Sequence, residues 1–148
     1  RESRMLFDHN LKKATFWDKK VTEKDGEENI KKEWEISDYA QNVYSTVFYL
    51  RTFHWDVGVT NSFQVSNNGE NLIFKGTAIR KEKLETAVGT FNTIVIRPEL
   101  ELKGKFQPIG ENLIWPSDDD RKFILRVEAK IKIGTLVSQV IELNPGNP

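Results

Sequence analysis

From Phe123 to Ile133 the chain alternates: Phe123, Leu125, Val127, Ala129, Ile131 and Ile133 are apolar, while Arg126, Glu128, Lys130 and Lys132 between them are charged. A helix would scatter these two sets around its circumference. A strand places them on opposite faces of a sheet, one buried and one wet. After Gly134-Thr135, the apolar residues Val137, Ile141 and Leu143 resume the pattern to about residue 143. The segment therefore reads as a hairpin of two long strands.

The same period recurs upstream. Ile30, Lys32, Trp34 and Ile36 share one face, opposite Lys31, Glu33 and Glu35. Phe63 and Val65 alternate with polar neighbours up to the turn signal Asn67-Asn68-Gly69, after which Leu72, Phe74 and Ala78 restart a strand containing Gly76. The spacing predicts strands over Thr86 to Ile96, closed by Pro98, over Leu100 to Phe106, closed by Pro108-Ile109-Gly110, and over Leu113 to Trp115, stopped by Pro116. Two more fall near Met5-Leu6-Phe7 and Ala14 to Trp17, joined at His9-Asn10, with a turn at Lys24-Asp25-Gly26-Glu27. Gly58, Gly76, Gly89, Gly104 and Gly134 read as kink or bulge sites.

One segment has a different period. Tyr39, Ala40, Val43, Tyr44, Val47, Phe48 and Leu50 follow helical spacing after Ser37-Asp38, a good N-cap pair. The pattern predicts a single helix over about 38–51, apolar on most of its circumference and so buried on more than one side. The expected fold is mainly β: a curved antiparallel sheet or partly open β-barrel of nine or ten strands, with this helix packed against it.

Composition excludes several function classes. The 148 residues carry 22 Lys+Arg and 22 Asp+Glu, so no net charge is available for a general grip on nucleic acid. The chain has no cysteine and two histidines, which removes disulfide, thiolate and zinc–thiolate chemistry. No apolar run approaches the ~20 residues of a membrane-spanning helix. Neither a phosphate-binding glycine pattern nor a nucleophile elbow appears, so no cofactor is implied. Residues 1–148 read as one domain. The opening RESRMLFD, without an initiator Met, reads as the interior of a longer or processed protein.

The helix segment Gln41 to Arg51 resembles an Asp-x-x-Ser…Tyr-x-Leu-Arg motif of the bacterial family catalogued as domain of unknown function 3108, with Asn42 standing where the family has Asp. Further features follow in the family's order: Gly58, then Glu85-Thr86 before Gly89-Thr90-Phe91, then Ile114-Trp115-Pro116-Ser117-Asp118-Asp119-Asp120-Arg121, then Ile133-Gly134. Phe123-Ile124 replaces an apolar-Pro pair. The resemblance covers about residues 5–143. It singles out Asn42, Ser45, Arg51, Gly58, Gly89, Phe91, Trp115, Ser117, Asp119 and Gly134 as a structural motif, and it supplies no catalytic residue. It implies an exported protein, periplasmic or associated with the outer membrane, and a chain shortened at its N-terminus relative to the family.

Three readings of function follow. The nearly all-apolar helix among aromatic strands points to a non-enzymatic cell-envelope domain that binds an apolar ligand, a lipid or lipoprotein segment, in the concave sheet face, with Tyr44, Val47, Phe48 and Trp115 at the site. The second is an assembly module that docks another envelope protein, and it predicts a packed interior without a ligand-sized cavity of several hundred cubic ångströms. The third is an enzyme using Asp118-Asp119-Asp120. Against that one, contiguous acids point in different directions and no glycine follows as in calcium loops, so the triplet reads as an Asx-type turn neutralised by Arg121 and Lys122. His54, beside the helix end, and His9 have no catalytic partner pattern. Arg51 reads as fixed to a strand or to the acidic turn.

Overall fold

The computed structural model describes residues 1–23, 26–67, 69–102, 104–108, 111–131 and 133–146, without the side chains of 102, 105–108 and 131. The expected turn residues Lys24-Asp25, Asn68 and Ile109-Gly110 lie outside the described residues, as do Lys103, Lys132 and the Phe106 side chain. Strands β1 (Glu2–Asp8), β2 (Lys13–Thr22) and β3 (Gly26–Glu35) form a three-stranded antiparallel sheet in that order. Helix α1 (Val43–Tyr49) and a 3₁₀ turn (Leu50–Thr52) follow. Next come β4 (Thr60–Asn67), β5 (Glu70–Thr86), β6 (Gly89–Leu102), β7 (Lys105–Pro108), β8 (Leu113–Pro116), β9 (Ile124–Ile131) and β10 (Gly134–Gln139). These strands form a second sheet in the order β10-β9-β8-β6-β5-β4, with β7 also on β6. The sheet ends at β10 and β4, which do not pair, so among the described residues no barrel closes.

The long hairpin β5–β6 is the spine, and both its faces are covered. Ile94 and Ile96 belong to a cluster with Leu50, Trp55, Val65, Phe74, Ala78 and Ile114, while Val95 joins Leu84, Trp115 and Leu125. Strand alternation places these clusters on opposite sides. The small sheet has its own centre at Ala14, Ile36 and Ala40, with Trp34 and Phe7 against them. It is tied to the main sheet by Trp34 Nε1 donating to Ser66 Oγ at 2.6 Å, Asn71 Nδ2 to the Glu35 carbonyl at 2.8 Å and Ser37 Oγ to Gln64 Oε1 at 2.7 Å.

The helix departs most from expectation. It begins at Val43, not near residue 38, and its N-cap is Asn42. Asn42 Oδ1 accepts from the Ser45 N–H at 2.8 Å, and Ser45 Oγ accepts from the Asn42 N–H at 3.0 Å, so each satisfies an end group of the other. The residues before it are claimed by β4: the Gln41 N–H donates to the Gln64 carbonyl and the Ser66 N–H to the Gln41 carbonyl, which makes a parallel bridge. Nor is the helix enclosed. Thr46 is its one buried residue, and Val43, Tyr44 and Phe48 face solvent.

The bulges also fall elsewhere than at the glycines. Register shifts lie between Ala78 and Arg80 in β5 and opposite Trp115–Pro116 in β9. Gly58 and Gly104 instead occupy turns and Gly89 and Gly134 the first position of a strand, all with positive φ. Pro98 does not end its strand, since β6 runs on to Leu102.

Candidate functional site

The sequence candidates Tyr44, Val47, Phe48 and Trp115 do not converge. Tyr44 and Phe48, four residues apart, share one helical face. They stand 84% and 66% exposed. Val47 is half-buried. Trp115 is 4% exposed and lies in the cluster with Leu84, Val95 and Leu125, its Nε1 donating to Glu82 Oε1 at 2.6 Å. It belongs to the interior and not to a ligand site shared with the helix.

The inner side of the helix is packed. The Tyr49 ring meets Phe53 and Phe63 edge-on at 5.2 and 5.0 Å, Phe53 stacks on Phe63 at 5.5 Å, and Phe63 stacks on Phe74 at 4.9 Å. These rings fill the space between α1 and the sheet, where the concave-face ligand was expected.

Two recesses flank the helix. One, of about 410 Å³, is walled by Tyr44, Val43 and Asn42 on one side and Met5, Phe16 and Arg4 of the small sheet on the other. The second, of about 500 Å³, lies among Phe48, Arg51, Thr52, Asp120, Arg121 and Phe123. Each candidate helix aromatic therefore forms a wall of its own recess. Met5 and Phe16 carry no mark in the sequence as partners of the helix, because their approach depends on how the two sheets meet.

Arg51 reaches the acidic turn, its Nε and Nη2 donating to the Arg121 carbonyl at 3.2 and 2.9 Å. The guanidiniums of Arg51 and Arg121 lie 5.4 and 5.0 Å from the Phe123 ring centre. Within the turn, Asp119 Oδ1 accepts from Ser117 Oγ at 2.8 Å and from the Arg121 and Lys122 N–H groups at 3.1 and 3.0 Å. Ser117 Oγ in turn accepts from the Phe123 N–H at 2.9 Å. These bonds hold Lys122 at φ 46°. The neighbouring acids go elsewhere: Asp118 pairs with Lys81 at 3.1 Å, and Asp120 lines the second recess. Lys81 also reaches Asp56 at 3.4 Å, a tie between distant loops that no local spacing announces. Among the described residues, no group of three His, Cys, Asp or Glu is placed to hold a metal ion.

The remaining motif residues shape the backbone. The Gly58 N–H donates to the Ala78 carbonyl at 2.8 Å beside the β5 bulge. Gly89 and Gly134 open β6 and β10, and Phe91 packs on the Leu84–Trp115 cluster.

Burial raises the Asp119 carboxyl, but the hydrogen bonds from Ser117, the Lys122 amide and Arg121 outweigh it and leave the group below the usual carboxylate range. A lowered folded value means that the native turn binds fewer protons than the unfolded chain. Its stabilisation is full above the unfolded value, roughly 3.9, and is lost as pH falls through the folded one. Asp119→Ala should cost about 2 kcal/mol by stranding turn donors. Asp119→Asn should flatten the fall in Tm between about pH 5 and pH 3. An unchanged acid limb in Asp119→Asn would remove the turn from that role.

A family model described as Protein of unknown function (DUF3108) matches residues 1–141. Comparison with curated proteins finds no match, and neither does comparison with solved structures.

Proposed function

The chain belongs to the DUF3108 family of proteins of unknown function, and from that premise we propose that it is a non-enzymatic docking module of the bacterial cell envelope, exported from the cytoplasm, that binds another envelope protein through the outer face of α1. The observation that carries this reading is the exposure of Tyr44 and Phe48 side by side on a helix whose inner side meets a cluster of packed rings. Large aromatics left in water in this way are typical anchors at protein interfaces. The helix has no acidic residue in its first turn and no basic residue in its last, so it favours an apolar contact. The recess on either side would take partner side chains around a central ridge. A lipid carrier encloses most of its ligand's surface. The stacked rings behind the helix occupy the space in which such a ligand was expected.

A photo-reactive phenylalanine analogue at position 44, irradiated in cells, tests the proposal. One protein adduct of defined mass in the envelope fraction is expected, and Phe48→Asp should reduce it more than about tenfold, as for an interface anchor. A lipid adduct, or an adduct indifferent to Phe48→Asp, would overturn it.

A further inference from the structure

Among the described residues the two sheets present five outer strands, and four of them are protected against pairing. β1 carries Glu2, Arg4 and Asp8, and β3 carries six charged side chains, from Glu27 to Glu35. β4 is covered by the Gln41 bridge, and by Asn61 Nδ2 donating to the His54 carbonyl at 2.9 Å. β7 is four residues long and ends in Pro108. Charge, cover, shortness and proline are the usual ways in which edges are kept from other strands. β10 has none of them. From Ile133 to Ile141 no residue is charged and none is proline. Leu136 and Val137, on opposite faces, are 62% and 46% exposed, and Ile133 is 93% exposed. No strand lies beyond β10 among the described residues.

The edge also has a defined set of outward groups. The Val140 N–H donates to the Leu125 carbonyl at 2.9 Å and so points toward β9. Alternation along an antiparallel strand then turns the N–H and C=O groups of Thr135, Val137 and Gln139 away from the sheet.

We propose that β10 is a self-pairing edge, along which two copies of this chain join antiparallel about a two-fold axis through Val137. Val137 then faces its counterpart, and Thr135 of each copy faces Gln139 of the other. The outward groups of these residues close roughly six hydrogen bonds. At the axis Val137 meets its own copy, a contact that a charged residue at this position would oppose. The balance of 22 basic and 22 acidic residues leaves no long-range repulsion between copies.

Sedimentation velocity on the full chain should show a 17.2 kDa monomer giving way to a dimer as concentration rises. Val137→Lys should weaken the dimer by roughly a hundredfold, because it sets two cations face to face. Its Tm, measured where both proteins are monomeric, should change little, because Val137 is 46% exposed and lies directly across from Glu128 of β9, which suits a lysine. Val137→Cys, in a chain without other cysteines, should oxidise to a linked dimer, since facing Cα atoms about 5.5 Å apart lie within disulfide reach. Thr60→Cys on the opposite edge strand should not. Phe48→Asp should leave the dimer intact, which keeps this outcome separate from that of the helix. A monomer at all concentrations, a dimer indifferent to Val137→Lys, or cross-linking no faster at 137 than at 60 would overturn the proposal.

Discussion

Trp55→Ala is expected to remove about 3–5 kcal/mol from the unfolding free energy, the usual cost of deleting a buried indole. Trp55 sits at the centre of the larger cluster, with Nε1 donating to the Leu50 carbonyl at 2.9 Å. That bond ties the end of the helical segment to the loop that follows it and fixes the ring that packs on the sheet. Gly76 shows how close the fit is. A Cβ there would lie 2.8 Å from Trp55 Cη2, 3.1 Å from Ile96 Cγ2 and 3.2 Å from Phe74 Cε1. The glycine is required by space and not by its backbone angle. Gly76→Ala should therefore cost about 1–3 kcal/mol in the native protein, the range for overpacking. In the Trp55→Ala background it should cost much less, because the nearest atom is gone. Urea denaturation of the two single variants and the double variant measures this coupling. Strict additivity would show that Gly76 is held for some other reason.

How far the sequence could be read follows from what each strand owes to its neighbours. Alternation located the hairpin of β9 and β10 because each strand carries its own pattern. It did not locate the bulge. Phe123, Leu125 and Val127 look like one face, yet Leu125 joins Trp115 while Val127 packs with Ile114. The shift lies opposite Pro116, which has no N–H to continue the ladder, so its cause sits in a different strand. The turn between β5 and β6 was missed for a similar reason. Ala87-Val88 is no turn signal, but Thr86 Oγ1 donates to the Gly89 carbonyl at 2.8 Å and accepts from the Val88 N–H at 3.2 Å, closing the turn with a side chain. Pro98 falls where the far edge of β6 passes from Ile114 of β8 to Pro108 of β7, a gap in the ladder where proline is tolerated. Helical spacing overran α1 at its start because the residues around Gln41 gain more by bridging to β4 than by a further turn of helix. The candidate site was legible only as aromatic residues on a helix. Which of them face water depends on how the helix sits against the two sheets, and no local spacing carries that.

Trp115→Ala is expected to cost about 3–5 kcal/mol and to leave docking at the helix untouched wherever the protein remains folded. The Trp115 ring lies under the Arg126 guanidinium, 5.2 Å from the ring centre, while Arg126 also pairs with Glu128. Glu82 holds the indole from the other end and is itself held by Arg80 at 2.8 Å. The bond from Arg80 and then that from Trp115 keep the Glu82 carboxyl below its ordinary value, and burial opposes them. Trp115→Phe keeps most of the packing and deletes one of those donors. It should therefore move Glu82 upward, toward the ordinary range, a change that carboxyl-carbon NMR titration resolves. The sign follows from linkage: the stability that Glu82 contributes is present above its unfolded value and lost as pH falls through the folded one, so raising the folded value shrinks that contribution. Phe48→Asp should show the opposite profile, with stability nearly unchanged and docking lost, because an exposed side chain has few neighbours to lose. The two variants separate a residue that holds the fold from one that the fold displays. If folded Trp115→Ala lost docking as completely as Phe48→Asp, the contact surface would have to include the face of the sheet around Leu84 and Leu125, and the helix would be only its rim.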